Sequence, residues 1–370
     1  MVDILTASLE MRAMLLAAVL LPLTSHLSQA QEVSKEELSP GIFLFRAPST
    51  LDLWTATNVV VVVNDNDVTV FDSFTRAGTA RMVIAEIRKI TDKPVKTLIN
   101  SHWHQDHWSG NNEFQKAWPG IQIIATTGTR DYMKRMPGGF FAGSLARSVA
   151  TSRAVLDSAI RAGKTSDGKP LTAEARTAQE KDIAETASFE AEVRALPRVL
   201  PNVAFKDTLV FWSGSREFRL LSATGDATTS AVLYLPAEKI LVTGDVLVAP
   251  ESGDGPPPWT TNSFAITPWL ESLRSLERLE VTTIVPGQGK AFHGKDYLQL
   301  TIETFDAIIN QVHSALERGI VGVDPVIASV DVAAQGRKYG PGGNLSPNFK
   351  PWVAALARRV YQESLDGISR

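Results

Sequence analysis

The chain has 370 residues, 44% of them apolar and 21% charged, with a formal net charge of −3. That length can bury a full core in one large domain or two smaller ones, and the composition is that of an ordinary globular protein. No basic run stands out, so nucleic acid is not an expected partner. Cysteine is absent, which excludes a thiolate as nucleophile, redox centre or metal ligand and leaves His, Asp, Glu, Asn and Gln to hold any ion.

Near the N-terminus, Ala13 to Leu23 form an apolar run too short to span a bilayer. Arg12 precedes it, and Ser28-Gln29-Ala30 follows with small-x-small spacing. This is the pattern of a secretory signal peptide over residues 1–30, which predicts a periplasmic or secreted protein with no stable membrane anchor. The competing reading is an N-terminal helix packed on the domain.

A first strand is expected over Glu37–Phe45, then a hairpin of Asn58–Val63 and Val68–Asp72 around the turn residues 64–67. A helix over Arg76–Ile90 follows, with Met82, Val83, Ile84, Ile87 and Ile90 as its buried stripe. Pro94 to Asn100 reads as a short buried strand. Beyond Gly110 come a short helix over Glu113–Trp118, a strand over Ile121–Ala125 and a helix over Thr126–Met136. Residues 143–196 hold two long alanine- and charge-rich helical patterns around the breaker-rich turn 163–170, the second starting near Thr172. This inserted helical hairpin is either a lid or interface element or plain surface elaboration. Strands resume at Val203–Phe205, Asp207–Trp212, Glu217–Leu221, Ala231–Pro236 and Lys239–Asp245. A helix over Trp269–Leu279, a strand from Val281 and an amphipathic helix over Asp296–Arg318 complete a main domain spanning 35–318. Residues 319–351 look loop-rich, and a last helix over Trp352–Leu365 packs on the domain as part of a 319–370 tail.

The chemistry concentrates in Asn100 to Gly110. His102, His104, Asp106 and His107 place three imidazoles and a carboxylate within one short stretch, using half of the chain's 6 histidines. A helix would spread them round its circumference and a strand would alternate them. A tight loop or helix start at the end of a strand lets all four face one point. Imidazole and carboxylate together suit zinc, with iron and manganese as alternatives.

His-x-His-x-Asp-His after a short strand, followed by Trp108-Ser109-Gly110-Asn111-Asn112, resembles the signature loop of the metallo-β-lactamase superfamily. The resemblance implies an α/β fold, a four-layer αββα sandwich, with one or two metals at an edge of the sheets. It assigns Asp72 to the buried acid beneath the metal loop, fixing the loop or a ligand's orientation; the residue read alone is equally a helix N-cap. Gly225-Asp226 stands where the family has Gly-His, Gly244-Asp245 matches, and Pro286-Gly287-Gln288-Gly289 stands for Pro-Gly-His-Gly. The implied ligands are His102, His104 and Asp226 for one ion and Asp106, His107 and Gln288 for the other, with Asp245 between them. Gln288 is a weak ligand, so one firmly held zinc is expected ahead of a mixed two-metal site. His293 lies five residues further on and could compensate.

The implied reaction is attack of a metal-bound hydroxide on an ester, lactone, amide or thioester of a small molecule, with Asp106 orienting the water and shuttling its proton. The alternatives are a binding protein that keeps the fold without turnover, a di-iron redox protein and a β-lactamase. Trp103, Trp108, Phe140, Phe141, Trp259 and Phe264 lie near ligand-bearing strand ends, either as an aromatic mouth for substrate or as core plugs.

Overall fold

The computed structural model describes residues 33–47, 57–135, 140–165, 168–249, 265–340, 343–345 and 349–367. The expected signal peptide lies outside these residues. No helix among the described residues is long and apolar enough to cross a membrane.

Two sheets carry the fold. The first contains β1 (Ser34–Ser39), β2 (Ile42–Arg46), β3 (Asn58–Val63), β4 (Val68–Phe71), β5 (Val95–Ile99), β6 (Gln122–Thr126) and β7 (Val203–Phe205), in that spatial order. The single strand expected at Glu37–Phe45 is in fact the hairpin β1–β2. Gly41 sits at φ +77 and reverses the chain within what reads as one apolar run. From β4 onward the strands pair in parallel, with α1 (Ala77–Ile90) crossing between β4 and β5. The second sheet has the order β13-β12-β11-β10-β9-β8, built from β8 (Thr208–Ser213), β9 (Arg216–Ala223), β10 (Ser230–Leu235), β11 (Ile240–Val242), β12 (Thr283–Val285) and β13 (Phe292–His293).

Strand alternation makes the layers. In β3, Val59 and Val61 pack outward with Val83, Ile84 and Ile87 of α1, while Val60 and Val62 point to the other sheet. In β10, Leu233 and Leu235 point inward with them, and Val232 and Tyr234 pack outward under further helices. Both faces of the central strands are therefore buried, which is why they read as continuous valine and leucine runs. The result is the αββα sandwich.

Between β5 and β6 lie α2 (Gln105–Trp108) and α3 (Asn111–Ala117), and α4 (Thr127–Arg135) follows β6. The insertion is α5 (Phe140–Ala162) and α6 (Ala173–Ala195), whose first turn is capped by Thr172 accepting from the Ala175 N–H at 3.1 Å. The two helices share a small core of Leu145, Phe189 and Val193. At its base the Arg76 guanidinium lies 3.9 Å over the Phe189 ring and pairs with Glu192 at 3.2 Å.

The outer layer of the second sheet contains α7 (Ile266–Glu277), α8 (Asp296–Glu317), α9 (Val323–Ala328), α10 (Ala333–Tyr339) and α11 (Phe349–Leu365). The stretch expected to be loop-rich thus holds two short helices. Each buries only one or two large apolar residues, such as Val326 and Tyr339, too few for a helical period to show in the sequence. Glu363 of α11 is 0% exposed and accepts from the Ile266 N–H at 2.6 Å and the Thr267 N–H at 3.3 Å, with Arg359 at 3.3 Å. A buried carboxylate thereby caps the positive end of α7. Glu363→Ala strands those donors and the guanidinium, and is expected to lower the unfolding free energy in urea by about 3 kcal/mol. A loss of less than ~0.5 kcal/mol would show that the cap is dispensable.

Candidate metal centre

The candidate ligands leave the carboxyl ends of strands in both sheets. His102 and His104 follow β5, and Asp106 and His107 stand on α2. Asp226 follows β9, Asp245 follows β11 and Gln288 follows β12. Close backbone approach brings these loops together. A Cβ on Gly244 would lie 2.5 Å from that of Ser101, one on Gly225 would strike the backbone of Val246, and one on Gly287 would overlap the Asp245 carboxylate. The Ala231 N–H also donates to the Ser101 carbonyl at 2.6 Å, binding the metal loop of one sheet to a strand of the other.

Two sets of side chains converge. His102, His107 and Asp245 form one and His104, Asp226 and Asp245 the other, each with its ligand atoms within 4.8 Å of one another. Asp245 is common to both, as the sequence implied, but His102 joins His107 rather than His104. Asp106 belongs to neither set, although its Oδ2 stands 3.1 Å from His107 Nε2. Tetrahedral ligands bonded at 2.0–2.1 Å are about 3.3 Å apart. The pairs His107 Nε2–Asp245 Oδ2 and His104 Nδ1–Asp226 Oδ2 are both 3.4 Å, and His102 Nε2–Asp245 Oδ2 is 3.7 Å. The buried Nε2 of His102 and Oδ1 of Asp245 have no hydrogen-bond partner. Atoms so placed fit a divalent cation.

A buried chain of hydrogen bonds sets the imidazoles. Asp72, 0% exposed, accepts from the Ser101 N–H at 2.7 Å and the Ser101 hydroxyl at 2.8 Å, and His107 Nδ1 lies 2.7 Å from it. With its proton given to Asp72, the Ser101 oxygen is left to accept from His102 Nδ1 at 3.0 Å. Both rings then carry hydrogen on Nδ1 and turn Nε2 toward Asp245, as a lone pair on His102 and as the position where a proton and a metal compete on His107. That shared direction explains why His102 groups with His107. Asp72 is not the helix cap, since α1 begins after Arg76. His104 instead stands at the start of α2, with the Trp103 ring edge-on at 4.2 Å.

Gln288 presents its amide nitrogen to the acids, 3.3 Å from Asp106 Oδ2 and 3.4 Å from Asp245 Oδ2, while its oxygen is buried without a partner. In this orientation it is a donor between two carboxylates, and a half-turn of the amide presents the oxygen that its position in the motif implies. Two residues that sequence reasoning missed hold this corner. The Thr57 hydroxyl donates to Asp106 Oδ2 at 3.0 Å. Asn58 clamps the Gln288 loop through its amide to the Pro286 and Gly289 carbonyls at 2.7 and 2.8 Å, and through its N–H to Gly287. The only trace in the sequence is a polar pair opening a valine run.

The electrostatics follow from burial. Desolvation pushes Asp72 above the usual carboxylate range, with His107 and Ser101 opposing it in part. Burial also acts against a charged His107, but Asp106, Asp245 and Asp72 outweigh it and hold that imidazole well above its ordinary value. His102 is pushed well below by burial and by the neighbouring His107 and His104. Asp106 stays below the usual range because His107 and other donors overcome its desolvation.

Trp103 and Trp108 take the second of the two roles that the sequence left open for the aromatics. Trp103 and Trp108 are 8% and 4% exposed and pack with Met133 and Ala227, with the Trp108 N–H bonded to the Trp103 carbonyl at 2.8 Å. They are plugs beneath the loop, because the apolar faces beside the ligands must be covered. Phe140 and Phe141 begin α5, but their side chains, like Trp259 and Phe264, lie outside what is described. His293 is exposed on β13 opposite Thr283, at the far end of β12 from Gln288, and does not join the cluster.

The raised His107 implies that a metal must displace a proton from Nε2. Metal binding at neutral pH is expected to release about one proton, seen as buffer-dependent enthalpy in calorimetric titration. In the metal-free protein, the stability supplied by protonated His107 is complete below about pH 6.5 and is lost as pH rises through its raised folded value. Urea midpoints of the chelated protein should therefore fall from about pH 6.5 upward, and midpoints that rise instead would exclude a protonated His107.

Known proteins resemble this chain in the same terms. A linear primary-alkylsulfatase of Pseudomonas sp. (strain ATCC 19151) is 24% identical over 289 residues, covering 76% of this chain and 51% of that protein. The chain thus spans about half the length of that relative. The stereoselective inverting sec-alkylsulfatase Pisa1 from Pseudomonas sp. shares the fold with a TM-score of 0.59 and 17% identity, over 90% of this chain and 50% of that one. A metallo-β-lactamase from Pontibacter korlensis does so with a TM-score of 0.50 and 15% identity, over 74% of this chain and 99% of that one. The sequence model of the metallo-β-lactamase superfamily matches residues 52–288, a span that contains every candidate ligand and ends on Gln288. This chain belongs to the metallo-β-lactamase superfamily.

Proposed function

We propose that this protein is an exported, metal-dependent hydrolase of an ester-type bond in a small molecule. The observation that carries the reading is the pair of ligand sets meeting on Asp245, with the buried His102 Nε2 aimed at it and lacking a hydrogen-bond partner. Zinc suits the imidazole and carboxylate donors, and the excess of oxygen donors also admits manganese or iron. When bound, the metal supplies Lewis acidity and lowers the pKa of water to about 7.

The remaining work falls to this chain's own groups. Asp106 is kept ionised beside His107, and Thr57 fixes its Oδ2, so it is placed to orient water and accept a proton. Asp72 and Ser101 hold the His107 and His102 rings in the tautomer that leaves Nε2 available. Trp103 and Trp108, packed with Met133 and Ala227, form an apolar floor under the loop.

For substrate, the alkylsulfatase relative adds alkyl sulfate esters to carboxylic esters, lactones, thioesters and amides, and we place sulfate esters first. β-Lactams rank lower, because Asp226 and Gln288 stand where the family pattern has histidines. A second reading, a binding protein without turnover, draws support from Gln288, whose amide nitrogen bridges the two acids as a cation would.

Elemental analysis with a panel of alkyl sulfates, esters, lactones and β-lactams separates these readings. Bound metal and turnover abolished by chelation are expected; metal without turnover on any class would favour the binding protein. His104→Ala should remove metal from the His104–Asp226 set and at least 100-fold of turnover (on the order of 10²). Unchanged metal content and rate in that variant would refute the site. Export rests on the apolar run Ala13–Leu23 and the Ser28-Gln29-Ala30 ending. Sequencing of the mature protein should begin at Gln31, and an intact Met1 or Met11 would refute cleavage.

A further inference from the structure

The geometry points to a second ligand site, at the end of α2, that takes a small organic anion with an apolar body. A cavity of about 200 Å³ lies there, walled by Trp108 and Ser109 at the end of the metal loop and by Val193, Arg194, Leu196 and Arg198 where the insertion returns to the domain. None of the candidate metal ligands lines it. The cavity is therefore not part of the centre described above, and it does not depend on the hydrolase reading.

Its lining specifies a ligand class. Ser109 is 3% exposed, and its hydroxyl has no hydrogen-bond partner, an orphan polar group that a ligand atom in the cavity would satisfy. Two arginines and no acidic residue line it, in contrast to the acid-rich metal centre, and one of the two, Arg194, is ion-paired to Glu190 beside it. Arg194 is held by Glu190 through Nε at 2.7 Å and through Nη2, which leaves Nη1 for a ligand, and Arg198 by the Met133 carbonyl at 3.0 Å through Nη1. Trp108, Val193 and Leu196 supply an apolar wall. The volume equals that of about six or seven waters, room for a molecule the size of benzoate. A carboxylate would meet the guanidiniums and the Ser109 hydroxyl while its ring lies against the apolar wall.

Because one wall belongs to the helix that carries Asp106 and His107, a ligand here touches the end of the metal loop. Calorimetric titration of the full chain with benzoate, with benzyl alcohol and with inorganic sulfate, each with and without chelator, tests the site. Expected are saturable benzoate binding in both states, weaker sulfate binding and none of benzyl alcohol. Arg194→Ala and Ser109→Ala should each weaken benzoate by about tenfold, and Val193→Trp, which fills the cavity, should abolish it. Arg194 is an exposed position, so its variant remains informative if the cavity-filling one fails to fold. The proposal is overturned if benzoate does not saturate, if chelation abolishes binding and so places the anion at the metal, if benzyl alcohol binds as well, or if neither Arg194→Ala nor Ser109→Ala changes the affinity.

Discussion

Asp72 is the buried charge on which the metal loop rests. It follows β4 in the left-handed region, at φ 62, a conformation that only Gly, Asn and Asp adopt readily. There its two oxygens receive the Ser101 N–H, the Ser101 hydroxyl and His107 Nδ1. A carboxylate this deep is costly unless every oxygen is satisfied, so the loop after β5 has little freedom. Through Ser101 the constraint reaches His102, and through His107 it reaches Asp106 and Asp245. The left-handed backbone at Asp72 is thus coupled to the direction of two imidazoles.

The second constraint is the meeting of two sheets at one edge. The first sheet supplies every histidine of the cluster, and the second supplies Asp226, Asp245 and Gln288. Neither half suffices alone. Asn58 and the glycines 225, 244 and 287 bring the halves to contact distance, and larger side chains there would hold them apart. The assembled cluster is rich in anionic oxygen. Asp106, Asp226 and Asp245 surround imidazoles of which His102 is kept neutral by burial, so a cation, a proton on His107 or the Gln288 amide must offset the repulsion.

The helical insertion is neither independent of this edge nor part of it. Arg76, three residues before the buried stripe of α1 begins, pins α6 through Phe189 and Glu192. The returning chain then lies beside the end of α2 and closes the cavity there. The insertion therefore borders the metal loop without supplying a ligand.

By itself the sequence determined most element positions and the cluster His102 to His107, and the family resemblance of that cluster implied the layered α/β class. Those features are written locally: strand runs buried on both faces, one helical stripe at a time, and four donors in six consecutive positions. Gly41 and the short helices α9 and α10 escaped that reading, because a single positive φ or one buried residue leaves no period. Only the tertiary structure decided that His102 sides with His107, that Gln288 offers nitrogen to two acids, that Trp103 and Trp108 are buried plugs, and that Thr57 and Asn58 belong to the centre. The physical reason is one of range. Periodicity and spacing record which face of its own element a residue occupies, whereas the direction of a ring or an amide depends on partners brought in from another sheet.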